Sequence, residues 1–265
     1  MTPTLLGAPY DASSSYRRGA AGAPPRIRAA LASPAGNPWS EDLRDLSRPG
    51  SYDDAGDLVL LPDESARLEI ERGVTALLDE GRRPLVLGGD HSITWPVLRA
   101  IRRRHPRLSV LHLDAHPDLY DEFDGDRGSH ACPFARAMEE GLADQLVQVG
   151  IRAMTGHQAE QASRFGVETV DMRAWSAGQR FNLRHPVYIS IDLDALDPAF
   201  APGVSHREPG GLSVREVLSL IQGVSSPVVG ADVVEHNPGA DLGDLTAGVA
   251  AKLVKELVAA MLRSG

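Results

Sequence analysis

The feature that most constrains the fold is a regular alternation of short apolar runs with longer helical patterns. The strand-like runs are Thr4–Ala8, Asp57–Leu61, Pro84–Leu87, Leu108–Leu113, Gln145–Ile151, Val167–Asp171, Val187–Asp194 and Val228–Glu235. The helix-like stretches include Glu64–Glu80, Trp95–Arg104, Pro133–Glu140, Val214–Ile221 and Leu245–Leu262. Strands that alternate with helices form right-handed βαβ units, so the pattern predicts a mainly parallel sheet with helices on both faces.

The length and organisation of the chain favour one domain. At 265 residues the chain can bury the core of one large α/β domain. The segment Ser33–Gly56 is rich in Pro, Gly, Ser and Asp and is interpreted as a surface excursion rather than a linker. We therefore expect a single domain over residues 1–265.

Charge and cysteine content narrow the functional classes. The chain has 27 Lys and Arg against 36 Asp and Glu, a net charge of −9, which argues against a nucleic-acid partner. Its one cysteine, Cys132, excludes an internal disulfide and fits a reducing compartment. We find no signal-peptide pattern and no apolar run long enough to span a membrane. We therefore expect a cytoplasmic protein without a membrane partner.

Acids and histidines follow three of the predicted strands. They are Asp90 and His91 in PLVLGGDHS, Asp114, His116 and Asp118 in LSVLHLDAHPD, and Asp192, Asp194 and Asp197 in VYISIDLDALDP. Ligands of open parallel sheets bind beyond the carboxyl ends of the strands. We therefore expect these side chains to converge there.

The spacing of these residues suits metal ions. Asp114, His116 and Asp118 have the same strand parity, as do Asp192 and Asp194, so each set can point to one face. Four gathered carboxylates repel one another unless cations neutralise them, and two divalent ions balance the charge. Mixed Asp and His ligands with many oxygens favour Mn²⁺, with Fe, Co or Ni as alternatives and zinc less suitable.

Each motif also has a simpler interpretation. GGDH is typical of a turn with a polar cap, DAHPD of a capped strand end, and DLDALDP of an Asx-turn cluster. Their joint occurrence after three strands favours a binuclear metal site.

Together these motifs resemble the ureohydrolase family of arginases and agmatinases, most closely its plant-type branch. The matching segments are GAAGAPPRIRAAL, VLGGDHS, HLDAHPDLYD, SHACPFARAMEEG, QVGIR, ISIDLDALDPAFAPGVSHREPGGLS, VVGADVVEHNP and TAGVAAKLVKEL. The resemblance covers nearly the whole chain. It implies a three-layer α/β/α fold with an eight-stranded, mainly parallel sheet, and a homo-oligomer, either a trimer or a hexamer.

The resemblance also implies two manganese ions per chain that share two carboxylates. One ion would be held by His91, Asp114, Asp118 and Asp192, and the other by His116, Asp114, Asp192 and Asp194. His130, in GSHACPF, matches the family histidine that shuttles protons. Glu235, in DVVEHNP, matches the carboxylate that binds the guanidinium group.

These residue types fit hydrolysis of a guanidino compound to urea and an amine. A guanidinium is cationic and resonance-stabilised, hence a poor electrophile, and two metal ions lower the pKa of a shared water toward 7. Glu235 would orient the substrate through charge-assisted hydrogen bonds. Asp118 and His130 would carry protons to the departing amine.

The substrate is predicted from two segments near the expected site. Animal and many bacterial arginases have acidic residues where this chain has Ala153, Met154 and Thr155, which argues against that way of binding L-arginine. The loop GVSHREPGG carries His206 and follows the plant-type pattern, whose members act on arginine or agmatine. We expect agmatine, with arginine, 4-guanidinobutyrate and N-hydroxyarginine as alternatives.

Two other classes share the fold or the ligands: single-metal zinc deacylases and metal-binding proteins without catalysis. The additional ligands His91, Asp118 and Asp194 favour two metals, and no family ligand is missing.

Of the neighbouring residues, Cys132 is interpreted as a small packing residue and His112 as a hydrogen-bonded core histidine. Asp90 and Asp197 are expected to hold turns.

Overall fold

The computed structural model describes residues 1–263, and its eight strands form one sheet. The strands are β1 (Pro3–Ala8), β2 (Asp53–Asp57), β3 (Arg83–Gly88), β4 (Ser109–Leu113), β5 (Gln145–Ile151), β6 (Glu168–Asp171), β7 (Val187–Asp192) and β8 (Val228–Val234). Their order is β2-β1-β3-β8-β7-β4-β5-β6, and every neighbouring pair is parallel. The predicted eight-stranded, mainly parallel sheet is confirmed.

Helices cover both faces of the sheet, as the three-layer prediction requires. The α-helices are α1 (Ala23–Leu31), α2 (Ser65–Asp79), α3 (Thr94–Arg104), α4 (Pro133–Glu139), α5 (Gly156–Phe165), α6 (Val214–Gly223) and α7 (Leu245–Arg263). One core lies between the sheet and α1, α6 and α7, and the other lies between the sheet and α2, α3, α4 and α5. In the described residues no helix has both the length and the apolar composition needed to traverse a bilayer.

The inner strands are buried on both faces because their side chains alternate between the two cores. In β3, Leu85 and Leu87 pack against one helical layer, whereas Val86 packs against the other. Such strands show continuous apolar runs rather than a polar and apolar alternation. This is why the positions of most inner strands could be predicted correctly from the sequence.

The second strand was predicted at the wrong place. Asp57–Leu61 was expected, but the strand is Asp53–Asp57, so the supposed surface excursion ends in the sheet. β2 is an edge strand with every residue exposed, so the sequence DDAGD has no apolar pattern. Leu58 and Leu60, which suggested a strand, instead pack on the second core after β2 has ended.

Two predicted strands end earlier than expected, and two helices were not predicted. β7 ends at Asp192, whose side chain accepts a hydrogen bond from the Asp194 backbone N–H and starts a 3₁₀ turn. β8 ends at Val234, because Glu235 has a left-handed backbone with φ of 64°. Helices α1 and α5 were missed, although Thr155 and Gln158 form a capping box at the start of α5.

Gly89 permits a close approach of two chain segments beside the central strands. A Cβ at this position would lie 1.7 Å from the carbonyl oxygen of Tyr10. The Gly89 backbone N–H donates to Ala8, and its carbonyl accepts from Glu235, so the position links β1, β3 and β8. No side chain can be accommodated here without moving backbone.

Gly89→Ala is therefore expected to lower the free energy of unfolding by about 3 kcal/mol. This value is the upper end of the destabilisation that overpacking usually causes. Chemical denaturation checks this value. Gly248→Ala is the control, because Gly248 is exposed in α7 and a Cβ there meets no described atom within 4 Å outside the helix backbone. That change should stabilise the protein by about 0.5–1 kcal/mol. Equal stabilities of the two variants would contradict the packing argument.

Candidate active site

The predicted site residues follow four strands that are adjacent in the sheet. These strands are β3, β8, β7 and β4, the four at its centre. Because all four are parallel, their carboxyl ends lie at one edge. The structure therefore brings together the six predicted metal ligands and both further catalytic candidates, which are His91, Asp114, His116, Asp118, Asp192, Asp194, His130 and Glu235.

His91 is the centre of the first cluster. Its Nδ1 lies 3.1 Å from Asp114 Oδ2, 3.1 Å from Asp118 Oδ2 and 3.2 Å from Asp192 Oδ2. The ring is fully buried, and within residues 1–263 Nδ1 has no hydrogen-bond partner. A buried imidazole nitrogen that faces three carboxylate oxygens without bonding to any of them is a donor set suited to a divalent cation.

His116 forms the second cluster with Asp194 and Asp114. Its Nδ1 lies 3.1 Å from Asp194 Oδ2 and 3.4 Å from Asp114 Oδ1. One ligand atom from each of these residues can be chosen so that all lie within 4.8 Å of one another. Asp114 thus directs one carboxylate oxygen to each cluster.

The carboxylates have strongly perturbed acidities. Burial, then the charges of Asp194 and Asp114, raises the pKa of Asp192 well above its usual value. Burial and the charge of Asp114 raise the pKa of Asp194 to about 6. Burial also tends to raise the pKa of Asp114, but nearby histidines, first His112, hold it well below the usual range. Such repulsion is what bound cations would relieve.

His112 uses both of its ring nitrogens within the protein. Gln148 Nε2 donates to His112 Nδ1 at 3.0 Å and to the carbonyl of Pro117. His112 Nε2 must then carry the proton, and it donates to Asp114 Oδ2 at 2.8 Å. His112, His91 and Asp114 also satisfy a metal-ligand geometry, but these bonds leave His112 without a free lone pair. The prediction of a buried, hydrogen-bonded histidine agrees with the structure.

His130 and Glu235 form a buried pair beside the clusters. His130 Nδ1 lies 3.0 Å from Glu235 Oε1, which also accepts the His91 backbone N–H at 2.9 Å. Burial lowers the pKa of His130, but the bond to Glu235 and the charges of Glu235 and Asp90 outweigh it and raise the pKa to about 9. The Ser15 backbone N–H, 3.2 Å from Nε2, favours the neutral ring and works against this rise. Ser15 Oγ, at 2.8 Å, can bond to either protonation state.

A cavity of about 160 Å³ opens onto these groups. Besides predicted site residues, it is lined by Ser15, Tyr120, Phe123, Ala131, Ala153, Gln158 and His206. No sequence motif predicts Ser15 or Phe123 as a site residue, because both lie in loops without a recognisable pattern. The sequence indicates His206 only as part of the plant-type pattern, whereas in the structure its ring centroid lies 5.3 Å from that of His130. These side chains line the part of the cavity around the two clusters.

Three neighbouring residues have the simpler roles that were predicted for them. Asp90 is fully buried and accepts the backbone N–H groups of Ser13 and Ser92. Asp197 accepts backbone N–H groups within its own loop. Cys132 is buried, and burial raises the pKa of its thiol to about 12, so the thiolate needed for nucleophilic attack is disfavoured.

Comparison with known proteins identifies the family. A model of the arginase family matches residues 2–260. The chain belongs to the arginase family. It is 48% identical to "Arginase 1, mitochondrial" of Arabidopsis thaliana, over 97% of this chain and 80% of that protein. The structure of arginase from Medicago truncatula matches with a TM-score of 0.95 and 46% identity, covering 98% of this chain and 87% of that one.

A more distant relative is the agmatinase of Bacillus anthracis, which is 34% identical over 96% of this chain and 90% of that protein. The predicted family is confirmed, and so is the enzyme class, since arginase-family members are hydrolases that act on C–N bonds of amidines. The expected preference for agmatine over arginine is not supported, because the relatives named arginase are the more similar ones.

Proposed function

We propose that this arginase-family amidinohydrolase is a manganese enzyme that hydrolyses L-arginine to urea and the corresponding amine. The observation that carries the metal part is the buried, unbonded His91 Nδ1 facing three carboxylate oxygens. The arginine part is supported by the higher identity to plant arginases than to agmatinase. Agmatine is the second candidate, because Ala153 lines the cavity and no acid occupies positions 153–155 to bind an α-amino group.

The six clustered residues would hold two Mn²⁺ ions per chain. His91 and Asp118 would hold only the first ion, and His116 and Asp194 only the second. Asp114 and Asp192 would hold both ions. When bound, the ions would lower the pKa of a water molecule at the site and provide the nucleophile. A zinc deacylase would need only one such set of ligands, so the second cluster around His116 and Asp194 favours two ions.

The remaining groups would orient the substrate and move protons. Glu235 is 4% exposed and, in spite of its burial, the hydrogen bond to His130 holds its pKa below the usual value. An anion at this position would pair with the guanidinium group and turn the central carbon of that group toward the clusters around His91 and His116. Asp118 would pass a proton to the departing nitrogen, and His130 would reprotonate the amine.

The role of His130 gives a prediction on pH dependence. With a pKa of about 9, His130 is protonated at neutral pH and loses its proton as the pH rises through that value. If it donates a proton to the leaving amine, kcat/KM should fall above pH about 9. His130→Asn should lower kcat by about 10²-fold, keep both metals, and remove this fall from the pH profile. A variant with an unchanged profile, or with one metal lost, would contradict the assignment.

A substrate panel tests the choice between arginine and agmatine. Urea release is measured with L-arginine, agmatine, 4-guanidinobutyrate and N-hydroxyarginine after incubation with Mn²⁺. We expect the highest kcat/KM with L-arginine. A higher value with agmatine would reverse the order of the two candidates, and no urea from any of them would contradict an amidinohydrolase of this kind.

Further predictions concern the whole protein. We propose a single ureohydrolase domain over residues 1–265, assembled as a homo-oligomer, either a trimer or a hexamer. The plant relative named above is mitochondrial, whereas a cytoplasmic location is proposed for this chain on the basis of its single cysteine. The only partner proposed besides metal and a second copy is the small guanidino substrate.

A further inference from the structure

A row of four polar residues crosses the sheet directly before the candidate metal site. Gln148, His112, Ser190 and Asp232 lie opposite one another on β5, β4, β7 and β8. All four are completely buried. Burying polar groups is unfavourable unless each is hydrogen-bonded, so the row needs a structural or functional reason.

The hydrogen bonds at the Asp232 end have a defined direction. Tyr188 OH and Thr94 Oγ1 both lie 2.7 Å from Asp232 Oδ2, so this oxygen is the acceptor of two hydroxyl donors. Ser190 Oγ lies 2.7 Å from the other oxygen, Oδ1, and uses its one hydrogen there. Its oxygen then accepts from His91 Nε2, which lies 3.0 Å away. A proton on Nε2 leaves the lone pair of His91 on Nδ1, the atom that faces the three carboxylates.

We propose that Ser190 and Asp232 are positioning residues that hold His91 in the metal-binding tautomer. This inference rests on the proposed binuclear function. The donors to Asp232 in residues 1–263 are three hydroxyl groups, none of which is charged. A buried carboxylate usually has a cationic partner, and here the chain Asp232–Ser190–His91 leads to the proposed cation site instead.

The other end of the row is arranged in the same way. Gln148 donates to His112, and His112 donates to Asp114. These bonds fix the position of the His112 proton and orient one carboxylate oxygen of Asp114. Both chains begin at a buried polar residue of the sheet and end at a proposed ligand. The row therefore contacts His91 through Ser190 and Asp114 through His112, and both are proposed ligands of the same ion.

The test compares Mn²⁺ binding to the metal-depleted wild-type protein and to Ser190→Ala by calorimetry and by electron paramagnetic resonance. Ser190→Ala should weaken binding of the ion held by His91 by about 10- to 100-fold, the usual effect of losing a partner of a metal ligand. The other ion should bind as before. At a manganese concentration that fills both wild-type sites, the variant should show the hyperfine signal of an isolated Mn²⁺ ion.

Tyr188→Phe is the matched control. It removes a hydroxyl bond to the same Asp232 but does not interrupt the link from Ser190 to His91. Its melting temperature should fall, while both manganese affinities stay within about threefold of wild type. Ser190→Thr, which keeps a hydroxyl group, should recover most of the affinity that Ser190→Ala loses.

The outcomes separate this inference from the proposed function. A wild-type protein that does not bind two Mn²⁺ ions would overturn the proposed function itself. A wild type with two ions and a Ser190→Ala variant of equal affinity would overturn only the positioning role, as would an equal loss in Tyr188→Phe. If Ser190→Ala does not fold, Asp232→Asn replaces it, because it removes the charge at nearly constant size. Unchanged affinity in that variant would also overturn the proposal.

Discussion

Asp192→Ala should lose both manganese ions and at least about a thousandfold in kcat/KM. Asp192 ends β7, is 3% exposed, and lies within 3.2 Å of His91 Nδ1 through Oδ2. Its other oxygen accepts the Asp194 backbone N–H at 2.8 Å, so its loss would also disturb the turn that presents Asp194. Metal ions supply several kcal/mol of transition-state stabilisation, and about 4 kcal/mol corresponds to a thousandfold in rate. Metal analysis and urea formation measure the two effects.

Asp197→Asn is the control for this variant, because it changes an acid in the same DLDALDP segment. Asp197 accepts the backbone N–H groups of Ala199, Gly210 and Gly211 and does not line the cavity. The variant should retain two ions per chain and near-normal turnover. An Asp192→Ala protein that keeps both ions would show that Asp192 is not a shared ligand.

Glu235→Gln should keep both ions but lower kcat/KM for every guanidino substrate by about 10²- to 10³-fold. Removing one partner of a buried charge pair costs about 3–4 kcal/mol, which corresponds to that range. The effect has a second readout, because Glu235 raises the pKa of His130. Without this carboxylate, the fall in activity at high pH should move to lower pH.

Glu71→Gln provides a matched control for Glu235→Gln. Glu71 is a glutamate of similar burial, 7% against 4% exposed, but it lies in α2, away from the cavity, and pairs with Arg103. Its replacement should affect stability and leave kcat/KM within about twofold. Near-normal activity in Glu235→Gln would remove Glu235 from the mechanism.

The central strands and the metal-binding candidates could be predicted from the sequence because they depend on local patterns. Apolar runs mark strands that are buried on both faces, and Asp or His residues directly after them must lie at the same sheet edge. The edge strand β2 has neither signal, since Asp53, Asp54 and Asp57 are exposed and bind arginines at the surface. Its position is determined by pairing with β1, a tertiary contact that no local pattern records.

The polar row was not predicted for a related reason. In the sequence, Gln148, Ser190 and Asp232 each lie between two apolar neighbours in three separate strands, and only the register of the strands places them opposite one another. The tautomer of His91 likewise depends on a bond to Ser190, which is 99 residues away. The loop residues around the cavity, such as Ser15, are brought to the site by contacts that span most of the chain.

The most direct measurement of the central claim is urea formation from L-arginine as Mn²⁺ is added in steps to the metal-depleted protein. The metal-free protein should release no urea, and activity should increase until about two ions are bound per chain. The same titration of Asp197→Asn should give the same end point. Full activity with one bound ion or none, or two bound ions without urea from any guanidino compound, would contradict a binuclear manganese amidinohydrolase.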